Sequence, residues 1–213
     1  MNSFETWGST LLPSIELLAT LAFALSGIME AARKRMDVVG VCVVGFLAAF
    51  GGGTLRDILL DQRPFFWVEN EIVMWAVLVL CVLSITFLRQ SHFELTEKTI
   101  QWPDTLGLGL FTASGVAQAL ALNLSPTVAI LMGTITGIFG GVLRDIVCNE
   151  IPVSFKDHRP YALCSVAGGV VYILLAAVDS EPWFCMTVCA MVTVVFRALS
   201  ILNNWILPAW RKD

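Results

Sequence analysis

The heptapeptide Gly51-Gly52-Gly53-Thr54-Leu55-Arg56-Asp57 returns as Phe139-Gly140-Gly141-Val142-Leu143-Arg144-Asp145, each time inside a long apolar stretch. Glycines loosen a helix, and arginine and aspartate carry charge. Hydrocarbon tolerates irregular backbone and charge mainly where protein or a water-filled cavity receives them. Two such places in one chain suggest a path through a membrane.

Outward from this motif, pairing Phe23 with Phe111 gives an offset of 88 residues that holds without a gap to Pro64 and Pro152. Ser26/Ser114, Gly27/Gly115, Ala31/Ala119, Gly45/Gly133 and Ile58/Ile146 are identical along it. Seven stretches reach the length of ~20 residues needed to cross a hydrocarbon core as helices. They are Leu11–Ala32, Val38–Leu60, Ile72–Leu88, Thr105–Asn123, Thr127–Cys148, Tyr161–Val178 and Trp183–Leu207. Each repeat then holds three spans, an odd number, so the second copy enters the bilayer in the opposite sense to the first. The expected fold is an all-α integral membrane protein of seven transmembrane helices. Residues 1–92 form the first three-helix repeat, 93–180 the second and inverted one, and 181–213 the seventh helix with a cytoplasmic tail. Such repeats usually place a transport pathway at their interface near the bilayer midplane.

Composition agrees. The 213 residues are 57% hydrophobic and 14% charged, too apolar for a soluble domain. Met1–Pro13 holds no Lys or Arg and carries Glu5, so it lacks the positive flank of a cleaved signal peptide and the first helix is expected to stay. The six cysteines fall in or at the ends of spans, where thiols pack as hydrophobes, so neither a disulfide framework nor a metal site is expected. His92 and His158 fall in loops, leaving no buried imidazole base. No phosphate loop, hydrolase elbow or zinc-protease motif occurs, so no catalytic residue and no cofactor is expected. A basic, aromatic-studded surface for nucleic acid is also missing. Of the 13 basic residues, nine fall on one side of the spans, Arg63 on the other, and Arg56, Arg144 and Arg197 within spans. The positive-inside rule then predicts the N-terminus outside and the C-terminus in the cytoplasm.

From Val38 to Gly51 and from Thr127 to Gly140 is 13 residues, or ~20 Å of helix. Both glycine clusters should therefore lie somewhat past the middle of a ~30 Å core, each approached from its own side. Each glycine costs about 1 kcal/mol relative to alanine in a helix interior, and a run of them permits a kink or a short unwound segment whose freed carbonyls replace water around a cation. Close helix packing is the alternative, for which Gly133-x-x-x-Gly137 and Gly27-x-x-x-Ala31 also qualify. Arg56 and Asp57 are neighbours, so their side chains leave a helix ~100° apart and are expected to seek other partners. Each arginine is expected to pair across the repeat axis or with a neighbouring helix, Arg56 toward the second repeat and Arg144 toward the first, with Asp57 and Asp145 offsetting them. A purely adhesive role for these charges is the competing reading.

Among hydroxyls, Thr134 and Thr136 are expected to bond back to their own helix. Ser26 and Ser114, repeated beside a glycine, are candidates to face a pore, with Thr54 another hydroxyl at depth. Glu16 and Glu30 lie near span ends, where a solvated or interfacial role is expected rather than catalysis. Arg197 should snorkel or bond a neighbouring carbonyl, and the tryptophans mostly flank spans as an aromatic belt.

The doubled motif, the repeated Ser26-Gly27 and Ser114-Gly115, and the three-plus-three-plus-one span count resemble the trimeric intracellular cation channel family in its prokaryotic branch, small inner-membrane proteins with a glycine-transporter domain. The resemblance covers essentially the whole chain. It implies a homotrimer in the inner membrane, each subunit holding its own hourglass pore that passes potassium and sodium, with membrane lipids around it. The pore would be lined by the second and fifth spans, bent at Gly51, Gly52, Gly53, Gly140 and Gly141. Arg56, Asp57, Arg144 and Asp145 would stand beside the constriction, and Phe139, where the first copy has Gly51, would narrow it. The lipid-binding basic motif of animal members has no match here. A passive monovalent cation channel thus competes with a secondary transporter of glycine or a similar small zwitterion, and more weakly with a scaffold that moves nothing.

Overall fold

The computed structural model describes residues 3–90, 96–156 and 160–208. His92, His158, Arg159, Trp210, Arg211 and Lys212 lie outside them, as do the side chains of residues 3–10 and 85–90 and of Lys156. The described chain is all helix with no strand: α1 Ser3–Arg33, α2 Val38–Leu59, α3 Phe66–Glu69, α4 Glu71–Gln90, α5 Glu97–Ala121, α6 Pro126–Val147, α7 Val153–Lys156, α8 Tyr161–Ala176 and α9 Pro182–Leu202. The seven long helices cover the seven apolar stretches. The short α3 and α7 follow α2 and α6, so they too fall in step with the repeat. By length and composition four helices can cross a membrane, Leu11–Arg33 within α1, α2, α6 and α9, while Glu71–Ser84 and α8 are shorter apolar helices. Helix α5 carries a polar first turn and Asp104. The last helix stops at Leu202, short of the expected Leu207, because Asn203 caps it and Asn204 adopts a left-handed φ of 49°.

The repeat extends into the turns. Asp37 caps α2 through Gly40 N–H at 2.8 Å, and Ser125, 88 residues on, caps α6 through Val128 N–H at 3.5 Å. Arg35 and Asn123, and likewise Asp61 and Asn149, take positive φ between 52° and 57° after the preceding helices. The amides that follow close back on the helices, Met36 onto Ala31 O at 3.0 Å and Leu124 onto Ala119 O at 3.1 Å. These are the carbonyl-satisfying stops that end helices in general.

Four helices form the centre: α1 packs on α2, α5 on α6, and the two hairpins meet through α1 with α5 and α2 with α6. Helix α4 covers the first hairpin, α8 covers the second, and α9 docks on α5 and α8. Within the hairpins glycine permits close approach. A Cβ on Gly27 would stand 2.9 Å from Val44 O, and on Gly133 2.7 Å from Thr112 O, which answers the packing reading of those motifs. On the pseudo-symmetry axis, Phe23 of α1 stacks on Phe111 of α5 with centroids 5.6 Å apart and planes at 22°. Large apolar side chains such as Ile72, Val39, Leu131 and Leu174 face outward, as a protein solvated by lipid requires.

Candidate functional site

Helices α2 and α6 run unbroken through their glycines, so of the expected kink or unwound segment the unwinding is not present and no carbonyl is freed by it. The glycines instead set how closely the two helices cross. A Cβ on Gly52 would stand 2.1 Å from Thr136 O, and a Cβ on Gly140 2.4 Å from Ala48 O, the same contact made from each repeat. Gly51 lies against Leu143 of α6. Gly53 and Gly141 look the other way, toward the guanidiniums of Arg56 and Arg144 at 3.8 and 3.7 Å.

The arginines build two buried clusters. Arg56 donates from Nε and Nη2 to Asp57 Oδ1 at 2.9 and 2.7 Å and from Nη1 to Glu16 Oε1. Glu16 also accepts from Gln118 Nε2 of the second repeat at 2.5 Å. Arg144 repeats the arrangement: Nε donates to Asp145 Oδ1 at 2.8 Å, Nη1 to Asp104 Oδ1 at 2.7 Å, and Nη1 also to Ser26 Oγ of the first repeat. Asp104 accepts a further bond from the Tyr161 hydroxyl at 2.6 Å. The second oxygens of Asp57 and Asp145 accept the amides that open α3 and α7, Phe66 N–H at 3.3 Å and Val153 N–H at 2.9 Å.

Two expectations are corrected here. Arg56 does meet Asp57, because divergent Cβ directions do not limit a guanidinium on three methylenes, which folds back to the next carboxylate. Its ion-pair partner Glu16 stands on the neighbouring helix α1 of its own repeat, one of the two kinds of partner expected, and the reach across the repeats is made by Gln118, whereas Arg144 crosses directly, to Ser26. Glu16 and Glu30 are each 5% exposed, so neither is freely solvated, and each lines a cavity described below. Glu30 pairs with Arg33 at 2.7 Å.

Asp104, Tyr161 and Gln118 are site residues that the sequence reading passed over. Glu16 and Asp104 stand 88 residues apart. Extending the repeat seven residues upstream of Phe23 would have exposed two acids at one position.

The other expected positions make the following contacts. Thr54 accepts from Trp67 Nε1 at 3.2 Å, which turns that tryptophan inward while Trp75, Trp102, Trp183 and Trp205 are exposed. Ser114 reaches only Phe111 O of its own helix, at 3.4 Å, and Phe139 is half-buried on α6. Thr134 and Thr136 bond back to Ile130 O and Met132 O at 2.8 and 2.6 Å, as expected. Arg197 is 1% exposed and neither snorkels nor bonds a carbonyl through Nε or Nη1; its guanidinium lies 4.7 Å from the Tyr161 ring centroid.

Each cluster opens to a cavity. One, of about 340 Å³, is lined by Glu16, Arg56, Asp57, Gln62, Glu69 and Gln118 among others. The other, of about 250 Å³, is lined by Glu30, Asp104, Arg144, Asp145, Glu150 and their neighbours. The two share no lining residue, and they lie at opposite ends of α1 and α5. Gln62 and Glu150, Glu16 and Asp104, Gln118 and Glu30 are equivalent under the offset of 88, so the cavities are repeat copies of each other. Within each cluster one guanidinium faces two carboxylates. Negative charge is therefore in formal excess, and a cavity of one sign concentrates ions of the other.

The family profile described as "Glycine transporter" matches the chain twice, over residues 14–89 and 101–177. The UPF0126 inner membrane protein YadS of Escherichia coli K12 is 34% identical over 200 residues, covering 93% of this chain and 96% of YadS. The crystallised TRIC trimeric intracellular cation channel orthologue from Rhodobacter sphaeroides superposes with a TM-score of 0.84 at 28% identity, covering 92% of this chain and 100% of the other. A prokaryotic TRIC channel crystallised in 0.5 M KCl gives 0.85 at 25% identity over 93% and 100% of the two chains. With the doubled arginine clusters and outward apolar surface, these likenesses make the chain a multi-pass membrane protein that belongs to the glycine transporter (UPF0126) family and has the fold of the TRIC cation channels.

Proposed function

We propose that the protein is a passive monovalent cation channel, conducting potassium and sodium, with one hourglass pathway in each subunit of a homotrimer. What carries the reading is the pair of repeat-related cavities, one at each end of the α1 and α5 pair, each with carboxylates in excess over its arginine. Cations are drawn to both mouths and anions are repelled from them. The likeness to channels named for trimeric cation conduction supports the same assignment.

In this reading all seven long helices span the inner membrane with the N-terminus outside, which puts the Glu16 cavity outside and the Asp104 cavity in the cytoplasm. The repeats occupy residues 1–92 and 93–180, with 181–213 added. Helices α2 and α6 flank the path. Gly53, Gly141 and Ser26 lie beside the arginine clusters and Gly51, Gly52 and Gly140 at the crossing, and in this reading Thr54, Phe139 and Ser114 also border the path. The protein needs no catalytic group, metal or cofactor for this.

A glycine transporter is the second reading, favoured by the family description. It asks a guanidinium to take the substrate carboxylate. Arg56 and Arg144 already hold two carboxylates each, so the substrate would have to displace one of them. Planar-bilayer recording from purified protein in KCl separates the two. Unitary, ohmic currents that ignore added glycine are expected; saturable uptake of labelled glycine into proteoliposomes without unitary current would replace the channel by the transporter.

A further inference from the structure

Glu16, Phe23 and Glu30 follow one another along α1 at intervals of seven residues, and Asp104, Phe111 and Gln118 do the same along α5. Seven residues bring a helix back to within ~20° of the same face, ~10 Å further along. Each helix thus shows its partner a stripe that is polar, aromatic, then polar. The helices run antiparallel, so Glu16 bonds Gln118 at 2.5 Å at one end, Glu30 and Asp104 line one cavity at the other, and the phenylalanines meet midway. Both rings are out of reach of solvent, at 0% and 3% exposure. The Phe23 ring sits where Gly107 lacks a side chain, since a Cβ there would stand 2.4 Å from Cδ2. Phe111 packs with Ala19, the repeat counterpart of Gly107. On its other side Phe23 reaches the α2–α6 crossing, with Cδ1 3.6 Å from a Cβ position on Gly140.

Resting on the channel reading, we propose that the stacked Phe23–Phe111 pair is the midplane seal of the ion path, an apolar plug between the two carboxylate-lined cavities that must be displaced for a cation to pass. Water does not hold a continuous column through a narrow apolar constriction, and an ion entering there meets aromatic carbon in place of the carboxylates of the cavities. Carboxylates are reached only at the layers of Glu16 and of Asp104 with Glu30. The two rings come from different repeats, so a small shift of one hairpin against the other separates them. Gly107 leaves room for one ring without opening the helix.

The test records full-length protein in planar bilayers in symmetric KCl, with size-exclusion profiles to verify folding. Phe23→Ala and Phe111→Ala should each raise open probability about tenfold or more by wetting the constriction. Gly107→Ala, which pushes the Phe23 ring off its seat, should move it in the same direction. Leu18→Ala, on the exposed face of α1, should match wild type. Should the alanine variants fail to fold, Phe23→Tyr and Phe111→Tyr decide, since they keep the ring and its volume but bring a hydroxyl into the apolar layer: a raised open probability supports the seal and an unchanged one overturns it. A silent wild type with conducting variants also supports the seal. A conducting wild type whose variants are unchanged overturns the seal and leaves the channel reading standing. Silence from wild type and folded variants alike overturns both.

Discussion

Gly52 and Gly140 sit against each other's helix at the crossing of α2 and α6, each leaving no room for a methyl group before the carbonyl of Thr136 or Ala48. The contact joins the two repeats at a position that the repeat itself duplicates. It is also the tightest constraint on how the hairpins lie together, because both obstacles are backbone and neither can rotate away.

Alanine at Gly52 or Gly140 therefore forces the helices apart, and each substitution should destabilise the protein by about 1–3 kcal/mol, the usual cost of overpacking. Gly53→Ala meets nothing nearer than Arg56 Nη2 at 3.8 Å and should be neutral or up to about 1 kcal/mol stabilising through helix propensity. Thermal unfolding in one detergent ranks the three. Equal losses at Gly52 and Gly53 would contradict the packing account.

The ion pairs of Arg56 with Glu16 and of Arg144 with Asp104 should behave as coupled units. Removing one partner strands a buried charge, so Glu16→Ala or Asp104→Ala should each lose about 3–5 kcal/mol. Removing both, as Glu16→Ala with Arg56→Met, should lose less than the sum of the single losses. A double-mutant cycle read from unfolding midpoints gives the coupling, expected at about 1–3 kcal/mol; strict additivity would mean the pair carries none.

Tyr161→Phe removes the hydroxyl that donates to Asp104 at 2.6 Å. A hydrogen bond to a charged group contributes about 1.5–3 kcal/mol, so the variant should melt earlier by that amount. In an Asp104→Asn background the same change should cost less, and an unchanged cost would show that the hydroxyl acts through something other than the carboxylate.

Arg197 offers the opposite sign. Its Nε and Nη1 have no partner among the described residues and the Tyr161 ring is its nearest compensation. A ring repays about 2 kcal/mol against a burial cost of several kcal/mol per ion. Arg197→Met should raise the melting temperature, and a fall would reveal a counter-charge that the fold brings to it.

Periodicity made the helices legible. Long apolar runs and the offset of 88 residues made seven long helices and their duplication readable, because hydrogen bonding within a helix and exclusion from water are local consequences of composition. The short helices α3 and α7 escaped notice, since four residues carry too little pattern. Ion-pair partners were harder to read: which acid an arginine finds depends on helices that are distant in sequence, as Glu16 is 40 residues from Arg56.

The sequence alone determined that the chain is built twice from apolar helices and that arginine and aspartate recur at matching positions of the two copies. Only tertiary structure decided what the glycines do and what the charges bind. A missing Cβ permits a bend and a close contact equally, and the choice falls to whichever backbone arrives opposite it; at Gly52 and Gly140 that was the other repeat. In the same way Phe23 and Phe111 are two matched letters until antiparallel packing lays one ring on the other.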